Sequence, residues 1–325
     1  MKKSKIAVIG SGIAGLSLAR HLSDAAEVIV FEHSAEPGGR MRSIELDGYC
    51  FDSGAQFFTA RHPRFENFLK PYLETGLIAQ WSPRVMTLGK GQKPYRRDWF
   101  EPHYNSRPHM GSLTSEMSQG LNIRYLTYIN EIFAQSGWRL QSGDYLISER
   151  FDFVLLAIPA PQARALVPEK ASFYPIFNQI EMTPCIALCL LFESPIQPGY
   201  QAAFVKKSDI DWLCIDSSKK ADSSQHAMVV HASSLFSQKY WEENDQILEK
   251  MLLDRLYELE PCIPKPENSF LKRWQYAAVP RAYEEGFLLD SELRIGACGD
   301  WANSGRVEGA FMSGLMLGEQ LKEVL

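Results

Sequence analysis

The sequence predicts an α/β protein in which a mainly parallel sheet with flanking helices is joined to a second domain built on a mainly antiparallel sheet. Three observations predict this class. A strand, a glycine-containing turn, a helix and a second strand follow one another within residues 5–32. A further strand and helix occupy residues 293–321, and the middle of the chain carries short segments of alternating polarity. With 325 residues, 45% of them hydrophobic, the chain can bury a large core and form two domains.

The first unit begins with the segment KIAVIGSGIAGLSLARHL, residues 5–22. An unbroken apolar stretch would suit an export signal, but this one is interrupted by glycines and resumes with helical spacing. Gly10 permits a tight turn after a buried strand, Gly12 lets a pyrophosphate approach the backbone, and Gly15 lets the helix pack closely. Glu32 ends the second strand, where it can accept hydrogen bonds from ribose hydroxyls. These positions predict a dinucleotide-binding unit.

A second loop favours FAD over NAD as the dinucleotide. The segment EPGGRMRS, residues 36–43, places Arg40 a few residues beyond the ribose acid, and FDSGAQFFTA, residues 51–60, follows as an extended stretch. Arg40 can pair with phosphate oxygens in a fork geometry, which suits a long, buried dinucleotide. A solvated Gly-Gly-Arg loop is the alternative interpretation.

The last strand and helix lie in the segment LRIGACGDWANSGRVEGAFMSGLMLGEQL, residues 293–321. Asp300 follows the strand, where its carboxylate can hydrogen-bond a ribityl hydroxyl. The helix begins near Val307, and its positive dipole end can face the flavin edge that gains negative charge on reduction. An ordinary connection between a strand and a helix is the alternative.

Five parts of the sequence carry a family resemblance that spans nearly the whole chain: GSGIAGLSLARHL with VIVFEHSAEPGGRMRS, FDSGAQFFT, FDFVLLAIPAPQARALV, KRWQYA and GDWANSGRVEGAFMSG. Together they resemble the flavin-containing amine oxidase superfamily, and within it the renalase-type oxidoreductases, especially the bacterial ones. The first and last parts are shared by many FAD enzymes, whereas the Arg-Trp-Gln-Tyr-Ala segment and the short length point to renalase. The resemblance implies a noncovalent FAD, without a link to Cys298, and a backbone contact from Ile129 to the adenine.

The residues predicted to bind FAD lie in the three glycine-containing segments, in the stretch 51–60 and around Ile129. They are Gly10, Gly12, Ile13, Ala14, Gly15, Glu32, His33, Gly39, Arg40, Met41, Gln56, Phe57, Phe58, Ile129, Gly299, Asp300, Val307, Glu308 and Ala310. The flavin N5 atom is the expected hydride acceptor, so the protein has mainly to position the donor and exclude water. We therefore predict no certain catalytic side chain. The seven scattered histidines predict no metal site.

The predicted FAD-binding domain is discontinuous and comprises residues 1–60, 112–161 and 277–325. The substrate domain comprises residues 61–111 and 162–276 and carries the antiparallel sheet. Prolines after the last buried strand of the middle segment mark the passage from one domain to the other.

Composition excludes several classes of function. A net charge of −5 gives no basic surface for nucleic acid or for an anionic membrane. No apolar run approaches the length of a bilayer span. The six cysteines are widely spaced and form no CxxC pair, which favours free thiols in a reducing cytoplasm over a disulfide framework or a zinc site. We expect a soluble, cytoplasmic protein.

Aromatic residues are the candidates for substrate contact. Trp274 and Tyr276 stand two apart in a predicted strand and therefore on one face, just before the chain re-enters the FAD domain. Phe57 and Phe58 lie on the segment expected to pass the isoalloxazine. A flat substrate could stack on such rings, although core packing at the domain junction is the alternative. His231, in an apolar strand, is either a structural group or a residue near the pocket.

Two function classes follow from these interpretations. The first is a flavin oxidase that takes a hydride from a small molecule and passes the electrons to oxygen, forming hydrogen peroxide. The renalase resemblance implies that the donor is a 2- or 6-dihydro isomer of NAD(P), whereas an amine oxidase or desaturase acting on a small amine or apolar molecule is the rival enzyme. The second class is a protein in which FAD is structural or regulatory. An intact dinucleotide site beside an aromatic pocket favours catalysis.

Overall fold

The computed structural model describes residues 3–89, 91, 93–220 and 224–325; residues 1 and 2, with which the first predicted domain segment begins, lie outside these ranges. The α-helices are α1 (Ile13–Leu22), α2 (Pro63–Glu74), α3 (Gly111–Ser118), α4 (Ala160–Leu166), α5 (Ser234–Lys239), α6 (Asp245–Leu259) and α7 (Val307–Lys322). Short 3-10 helices span Gly39–Met41, Tyr174–Gln179, Asp216–Lys219 and Asp300–Ala302. None of the helices in the described part of the chain combines the length and hydrophobicity that a bilayer crossing requires.

The strands lie between these helices along the chain, several of them directly after one another. They are β1 (Lys5–Ile9), β2 (Glu27–Phe31), β3 (Ile44–Leu46), β4 (Tyr49–Phe51), β5 (Ile78–Gln80), β6 (Val85–Gly89), β7 (Tyr95–Arg97), β8 (Tyr104–Ser106), β9 (Ile123–Arg124), β10 (Ile129–Ala134), β11 (Trp138–Ser142), β12 (Tyr145–Leu146), β13 (Phe153–Leu156), β14 (Thr183–Phe192), β15 (Ala202–Lys206), β16 (Ile210–Ile215), β17 (His226–Ala232), β18 (Asn268–Ala278), β19 (Leu288–Asp290) and β20 (Ile295–Ala297).

A six-stranded sheet brings the two ends of the chain together in the order β19-β20-β13-β1-β2-β9. All its neighbours are parallel except β19 and β20. In β1, Ile6 pairs with Phe153 on one side and with Val28 on the other. Central strands of this kind are covered on both faces, so β1 and β13 read as continuous apolar runs with no polar alternation.

A seven-stranded sheet has the order β18-β14-β17-β16-β15-β6-β7, and its neighbours are antiparallel except β15 and β6. The two sheets confirm the predicted class of a mainly parallel sheet with a mainly antiparallel second domain. The remaining strands form three small sheets, β10-β11-β12, β3-β4 and β5-β8.

The seven-stranded sheet buries its two faces against different partners. Ile186, Leu188 and Leu190 of β14 pack in one core with Leu252 and other leucines of α6. The alternate residues of β14 face the other way, since side chains in a strand alternate between the faces. Cys189 on that second face packs against β4 in a separate cluster. The second face is therefore turned toward the loop that follows β4.

The segment 61–111, expected to lie wholly in the second domain, divides between the two cores. Phe65 and Leu69 of α2 pack in the same core as Ile6 and Leu16 of the first unit. By contrast, β6 and β7 are strands of the seven-stranded sheet. We therefore propose that α2 belongs to the first domain and that the chain enters the second domain after it.

Candidate functional site

The first glycine turn is shaped by contacts that leave no room for a side chain. Gly10 has a φ of +100°, and a Cβ built on it would lie 2.6 Å from the carbonyl oxygen of Ala157. A Cβ on Gly15 would lie 2.0 Å from the carbonyl oxygen of Gly10. The turn and the start of α1 therefore need glycine at both positions for steric reasons.

Gly12 differs from its neighbours, because a Cβ built on it would have nothing within 4 Å. The second glycine loop lies beside it: the Gly38 N–H donates to the carbonyl oxygen of Ser11 at 2.9 Å, and Gly38 forms a bridge with Gly12. Gly39 also approaches Gly12, since a Cβ on Gly39 would lie 3.5 Å from the Gly12 Cα. The two predicted loops thus meet around an open surface.

Glu32 is buried at the end of β2 and holds the glycine turn. Its Oε2 accepts from the N–H and the hydroxyl of Ser11 at 2.8 and 2.7 Å, and its Oε1 accepts from the Ser34 N–H at 2.8 Å. His33 Nδ1 lies 2.9 Å from the same Oε1. Burial opposes the charge, but the hydrogen bonds from His33, Ser11 and Ser34 lower the Glu32 pKa to about 2. The sequence predicts a ribose contact here but not this support of the turn.

Arg40 and Asp300, predicted to contact the phosphates and the ribityl chain, are paired with each other. The guanidinium Nη1 and Nη2 donate to the two carboxylate oxygens at 2.8 and 2.6 Å, and Nη1 also donates to the Ala277 carbonyl at 3.1 Å. This fork fixes the second glycine loop to the end of β20 and to the end of β18. Each charge therefore has a protein partner that a bound ligand must share or replace.

The start of α7 packs directly on the first unit. A Cβ on Gly314 would lie 2.0 Å from the Ala14 carbonyl oxygen, so α7 can approach α1 this closely only with glycine at that position. Glu308, predicted to contact FAD, lies in the first turn of α7, and its Oε1 accepts from the N–H groups of Arg61 and His62 at 2.7 and 2.5 Å. Its side chain therefore anchors the segment before α2, and an FAD contact of this residue stays a prediction for its backbone.

Several other predicted FAD contacts have their side chains in a core. Phe58 is 4% exposed and packs on Phe65 and Tyr104, on the opposite side of its segment from Phe57. Met41 and Ile129 are also buried, which restricts them to backbone contacts. Ile13 and Ala14 are buried within the same core as Phe58. The alternation of side chains along an extended segment separates Phe57 from Phe58.

The described residues fit a dinucleotide. Helix α1 begins after Gly12 and α7 begins after Arg306, and neither helix has a side-chain cap at its N-terminus. The first backbone N–H groups of a helix have no intrahelical partner and carry a partial positive charge, which suits an anionic ligand. The open surface at Gly12 leaves space for a pyrophosphate at α1. Cys298, just before Gly299, is fully buried, and burial raises the pKa of its thiol to about 12.

Residues 52–58 form a strap. It begins after β4 and crosses the second face of the seven-stranded sheet, which is the face that carries Cys189. The carbonyl oxygen of Ser53 lies 2.9 Å from Nε2 of His231 and accepts from the Trp274 indole N–H at 3.1 Å. Trp274 also packs on Gly54, where a Cβ would lie 3.3 Å from the ring. Two substrate candidates thus converge on one backbone atom.

Gln56 is buried in the strap, and its amide is occupied by protein groups. Nε2 donates to the carbonyl oxygens of Asp52 and Gly54, and Oε1 accepts from Lys219 and Trp212, each at 3.4 Å. The hydrogen-bonding groups of the Gln56 side chain therefore shape the strap, and the FAD contact of this residue stays a prediction.

A buried charge cluster lies behind the strap. Lys219 Nζ is 2.5 Å from Asp216 and 3.1 Å from Asp52, and the three side chains are almost entirely buried. Tyr49 donates to Asp216 at 2.9 Å. Burial works against the charge of both partners, but the Asp216 and Asp52 carboxylates raise the Lys219 pKa and the ammonium groups of Lys219 and Lys220 lower the Asp216 pKa. The sequence analysis missed this cluster, whose only local signal is an Asp and a Lys three residues apart.

The aromatic candidates are half-buried at the strap. Phe57 sits among four rings with centroids 4.8 to 6.1 Å away, belonging to His103, Trp99, Trp212 and Trp81. Trp274 and Tyr276 lie two apart on β18 and are likewise partly exposed. The pairing of β18 with β14 shifts register between Trp274 and Ala278, so strand alternation does not fix the face of Tyr276, and its place beside Trp274 stays a prediction. The described residues hold no group of three or more metal-ligating side chains.

Two family models match the chain. The NAD(P)-binding Rossmann-like domain matches residues 8–72, and the flavin containing amine oxidoreductase matches residues 90–317. The second match spans more than half of the chain. The first agrees with the glycine turn and with Glu32 at the end of β2.

Relatives and solved structures agree with this family. A 1-hydroxycarotenoid 3,4-desaturase of Flavobacterium sp. (strain P99-3) is 48% identical over 59 residues, which cover 18% of this chain and only 12% of the desaturase. The "putative protoporphyrinogen oxidase" of Exiguobacterium sp. 255-15 is 13% identical with a TM-score of 0.83, covering 100% of both chains. Cyclohexylamine oxidase from Brevibacterium oxydans IH-35A is 13% identical with a TM-score of 0.76, covering 99% of both chains.

The structural likeness shows a shared fold, and the desaturase match covers too little of either protein to transfer a substrate. The family match is longer and agrees with the convergence of two glycine loops and two uncapped helices. The chain therefore belongs to the flavin-containing amine oxidoreductase family and is an oxidoreductase that uses FAD.

Proposed function

We propose that the chain is an FAD-dependent oxidase of the renalase type, which takes a hydride from a 2- or 6-dihydro isomer of NAD(P) and passes the electrons to oxygen. The observation that carries this proposal is the half-buried Trp274 indole, which donates to the strap at Ser53 and stands two residues before the partly exposed Tyr276 on β18. A flat dihydropyridine ring can stack on such an indole. The Arg-Trp-Gln-Tyr-Ala segment that contains both rings, residues 273–277, is also, together with the short length, what carries the resemblance to renalase.

The chemistry of such a donor requires no general base. A dihydronicotinamide loses one hydride and becomes the aromatic, cationic nicotinamide of ordinary NAD(P)+, so no proton has to be removed from it. Bound FAD supplies the acceptor for that hydride. Molecular oxygen then takes the two electrons together with two protons, one of them from solvent, and leaves as hydrogen peroxide. The chain's own residues have to hold the donor ring and exclude water.

The charged groups at the strap favour an uncharged donor over an ammonium ion. Asp52 and Asp216 are both paired with Lys219, and Asp300 is paired with Arg40. A cationic amine bound near the strap would therefore find none of these three carboxylates free to pair with it. A neutral ring needs no such partner.

A desaturase or an amine oxidase is the second candidate. The match to 1-hydroxycarotenoid 3,4-desaturase favours the former, and the likeness to cyclohexylamine oxidase the latter. Both would also deliver a hydride to FAD, so the reaction type alone does not separate them from the first proposal. Only the identity of the donor does.

The deciding experiment mixes the purified protein anaerobically with 2-, 4- and 6-dihydro NAD(P), a panel of small amines and an apolar polyene, while the flavin absorbance band is followed. The 2- or 6-dihydro isomers should bleach the band fastest, and air should restore it with one hydrogen peroxide per donor. Fast bleaching by an amine or by the polyene alone would replace the proposal with the corresponding alternative. A band that no donor bleaches would favour a structural role for FAD.

We infer that FAD is held noncovalently in a cradle formed by the glycine turn, the loop 36–43 and the start of α7, because Cys298 is fully buried with a raised pKa. The purified protein should be yellow and should release unmodified FAD when denatured. Chromatography and mass spectrometry of the supernatant test this. Flavin that stays with the unfolded polypeptide would contradict it.

A further inference from the structure

His231 lies at the centre of the face that the strap covers. In the sheet register it is opposite Ala187 of β14 on one side and Trp212 of β16 on the other. Trp274 stands opposite Cys185, two residues from Ala187 along the same strand. His231 and the proposed stacking ring Trp274 therefore occupy the same face, separated by one strand that carries small side chains.

The hydrogen bond to the strap fixes which ring nitrogen of His231 carries the proton. The Ser53 carbonyl oxygen can only accept, so Nε2, at 2.9 Å, is the donor. A neutral imidazole with a proton on Nε2 has an unprotonated Nδ1, which is an acceptor. No hydrogen bond joins Nδ1 to any of the described residues, and the side chain is only partly buried. The site thus contains an oriented acceptor without a protein partner.

The surroundings keep this imidazole neutral. Burial lowers the His231 pKa to about 4, and the nearby charge of Lys219 acts in the same direction, whereas the Ser53 carbonyl and Asp216 oppose them. Near pH 7 the ring therefore stays uncharged, and Nδ1 keeps its lone pair. The Ser53 carbonyl also accepts from Trp274, so the imidazole and the indole are held in a fixed relation to each other.

We propose that Nδ1 of His231 accepts a hydrogen bond from an N–H group of the substrate and thereby positions a ring that stacks on Trp274. The proposal rests on the proposed function and specifies it: the substrate carries an uncharged amide N–H beside the ring that is oxidised, as the carboxamide of a dihydronicotinamide does. His231 is then a substrate-binding residue that takes no proton from the donor. Its role is to determine which face of the substrate ring stacks on Trp274 and in which position the ring is held.

Two variants separate this role from a purely structural one. In His231→Asn, the amide oxygen can occupy the position of Nδ1, while the donor to Ser53 is lost. In His231→Gln, the longer amide can still donate to Ser53, while the acceptor at Nδ1 is lost. A structural role needs the bond to Ser53 and a substrate-binding role needs Nδ1, so the two roles predict opposite rankings of the variants.

The measurement is anaerobic flavin reduction by stopped flow, which gives a half-saturating donor concentration and a limiting rate for each variant. The donors are a 2- or 6-dihydronicotinamide dinucleotide and its N,N-dimethylcarboxamide analogue, which has no N–H to donate. His231→Gln should raise the half-saturating concentration of the first donor about tenfold and leave that of the analogue unchanged. His231→Asn keeps the acceptor and loses only the bond to Ser53, so it should raise the half-saturating concentration less than His231→Gln does for the first donor.

Each outcome supports or overturns the inference. If His231→Asn loses donor binding and His231→Gln keeps it, the residue is structural and the inference is wrong. The same holds if both variants respond equally to the two donors, or if neither changes the half-saturating concentration. If no dihydronicotinamide reduces the flavin of the wild-type protein, the proposed function and this inference are both overturned. If the flavin of the wild type is reduced normally but His231→Asn loses donor binding more than His231→Gln does, this inference alone is overturned.

Discussion

The glycine turn at residues 10–15 and the strap at residues 52–58 flank the same site but are held by different means. The turn is held mainly by close backbone packing, such as that of Gly15 on Gly10, with one side chain, the Glu32 carboxylate, accepting from Ser11, and it presents uncapped N–H groups. The strap is held by side chains from the antiparallel sheet, two of which reach the Ser53 carbonyl. Backbone packing builds the surface expected to bind a cofactor common to many enzymes, and side-chain packing builds the surface expected to select the donor.

The largest expected effect tests the glycine turn, and it compares substitutions at Gly12 and Gly15, which stand three residues apart. Gly15→Val should abolish FAD retention and lower the melting temperature strongly, because even its Cβ would lie 2.0 Å from the Gly10 carbonyl oxygen. Gly12→Ala meets no protein atom within 4 Å, so it should fold with a loss of about 1 kcal/mol while binding FAD at least about tenfold more weakly. Flavin content and thermal unfolding measure both. A Gly12→Ala protein with unchanged FAD affinity would move the pyrophosphate away from this turn.

The next prediction tests the charges behind the strap. Lys219→Met should cost about 3–5 kcal/mol of unfolding free energy, because it leaves the buried Asp52 without a cation and Asp216 with Lys220 alone. Arg255→Met, which removes the half-exposed pairs with Asp209 and Glu258, is the control and should cost less than about 1 kcal/mol. Urea unfolding of both variants gives the comparison. Equal losses would mean that the cluster behind the strap contributes no more than a surface pair.

A pH series isolates His231. Its pKa of about 4 in the native protein lies below the ordinary 6.5, so between these values the unfolded chain binds more protons and stability falls as pH decreases. The full difference is about 3 kcal/mol by pH 4. His103 and His109 have lowered pKa values as well, because of burial, so the wild-type slope alone does not identify one residue. The slope of unfolding free energy against pH should decrease in His231→Asn, and an unchanged slope would contradict the assigned neutrality.

The smallest expected effect concerns the aromatic face. Trp274→Ala or Tyr276→Ala should slow flavin reduction by the donor about tenfold while FAD content stays normal, since stacking is lost and the cradle is untouched. A core role predicts instead a poorly folded protein low in flavin, as truncation of a fully buried Trp costs roughly 3–5 kcal/mol. Melting temperature, flavin content and anaerobic reduction rate are measured together. A folded, yellow variant that is reduced at the normal rate would remove that ring from the substrate wall.

The same comparison explains what the sequence could predict. Gly10, Gly12 and Gly15 stand close together, and each meets a local requirement of the backbone that residue type alone reveals. The parallel sheet follows for a similar reason, because β1 and β13 are continuous apolar runs. Fold class and cofactor were therefore accessible from pattern and spacing.

The strap and the polar contacts were not accessible in this way. Asp216 and Lys219 stand three residues apart, as they would in an ordinary exposed turn, and only the fold brings Asp52 beside them. Glu308 follows the start of α7, where a flavin contact is reasonable, yet its carboxylate turns to the segment before α2. Gln56 was assigned to the cofactor because of its neighbours, whereas Trp212 and Lys219 occupy its amide oxygen. These contacts depend on side-chain direction after folding.

The contacts that complete the site also determine when it can form during synthesis. Ser53 meets His231 and Trp274, 178 and 221 residues later, and Arg40 meets Asp300, 260 residues later. A ribosome makes the chain from its N-terminus, so the glycine turn emerges long before these partners exist. Closing such long loops carries an entropic cost that only later contacts offset. A nascent chain shorter than about 300 residues should therefore be unable to retain FAD, and the cofactor should be incorporated only near the end of translation.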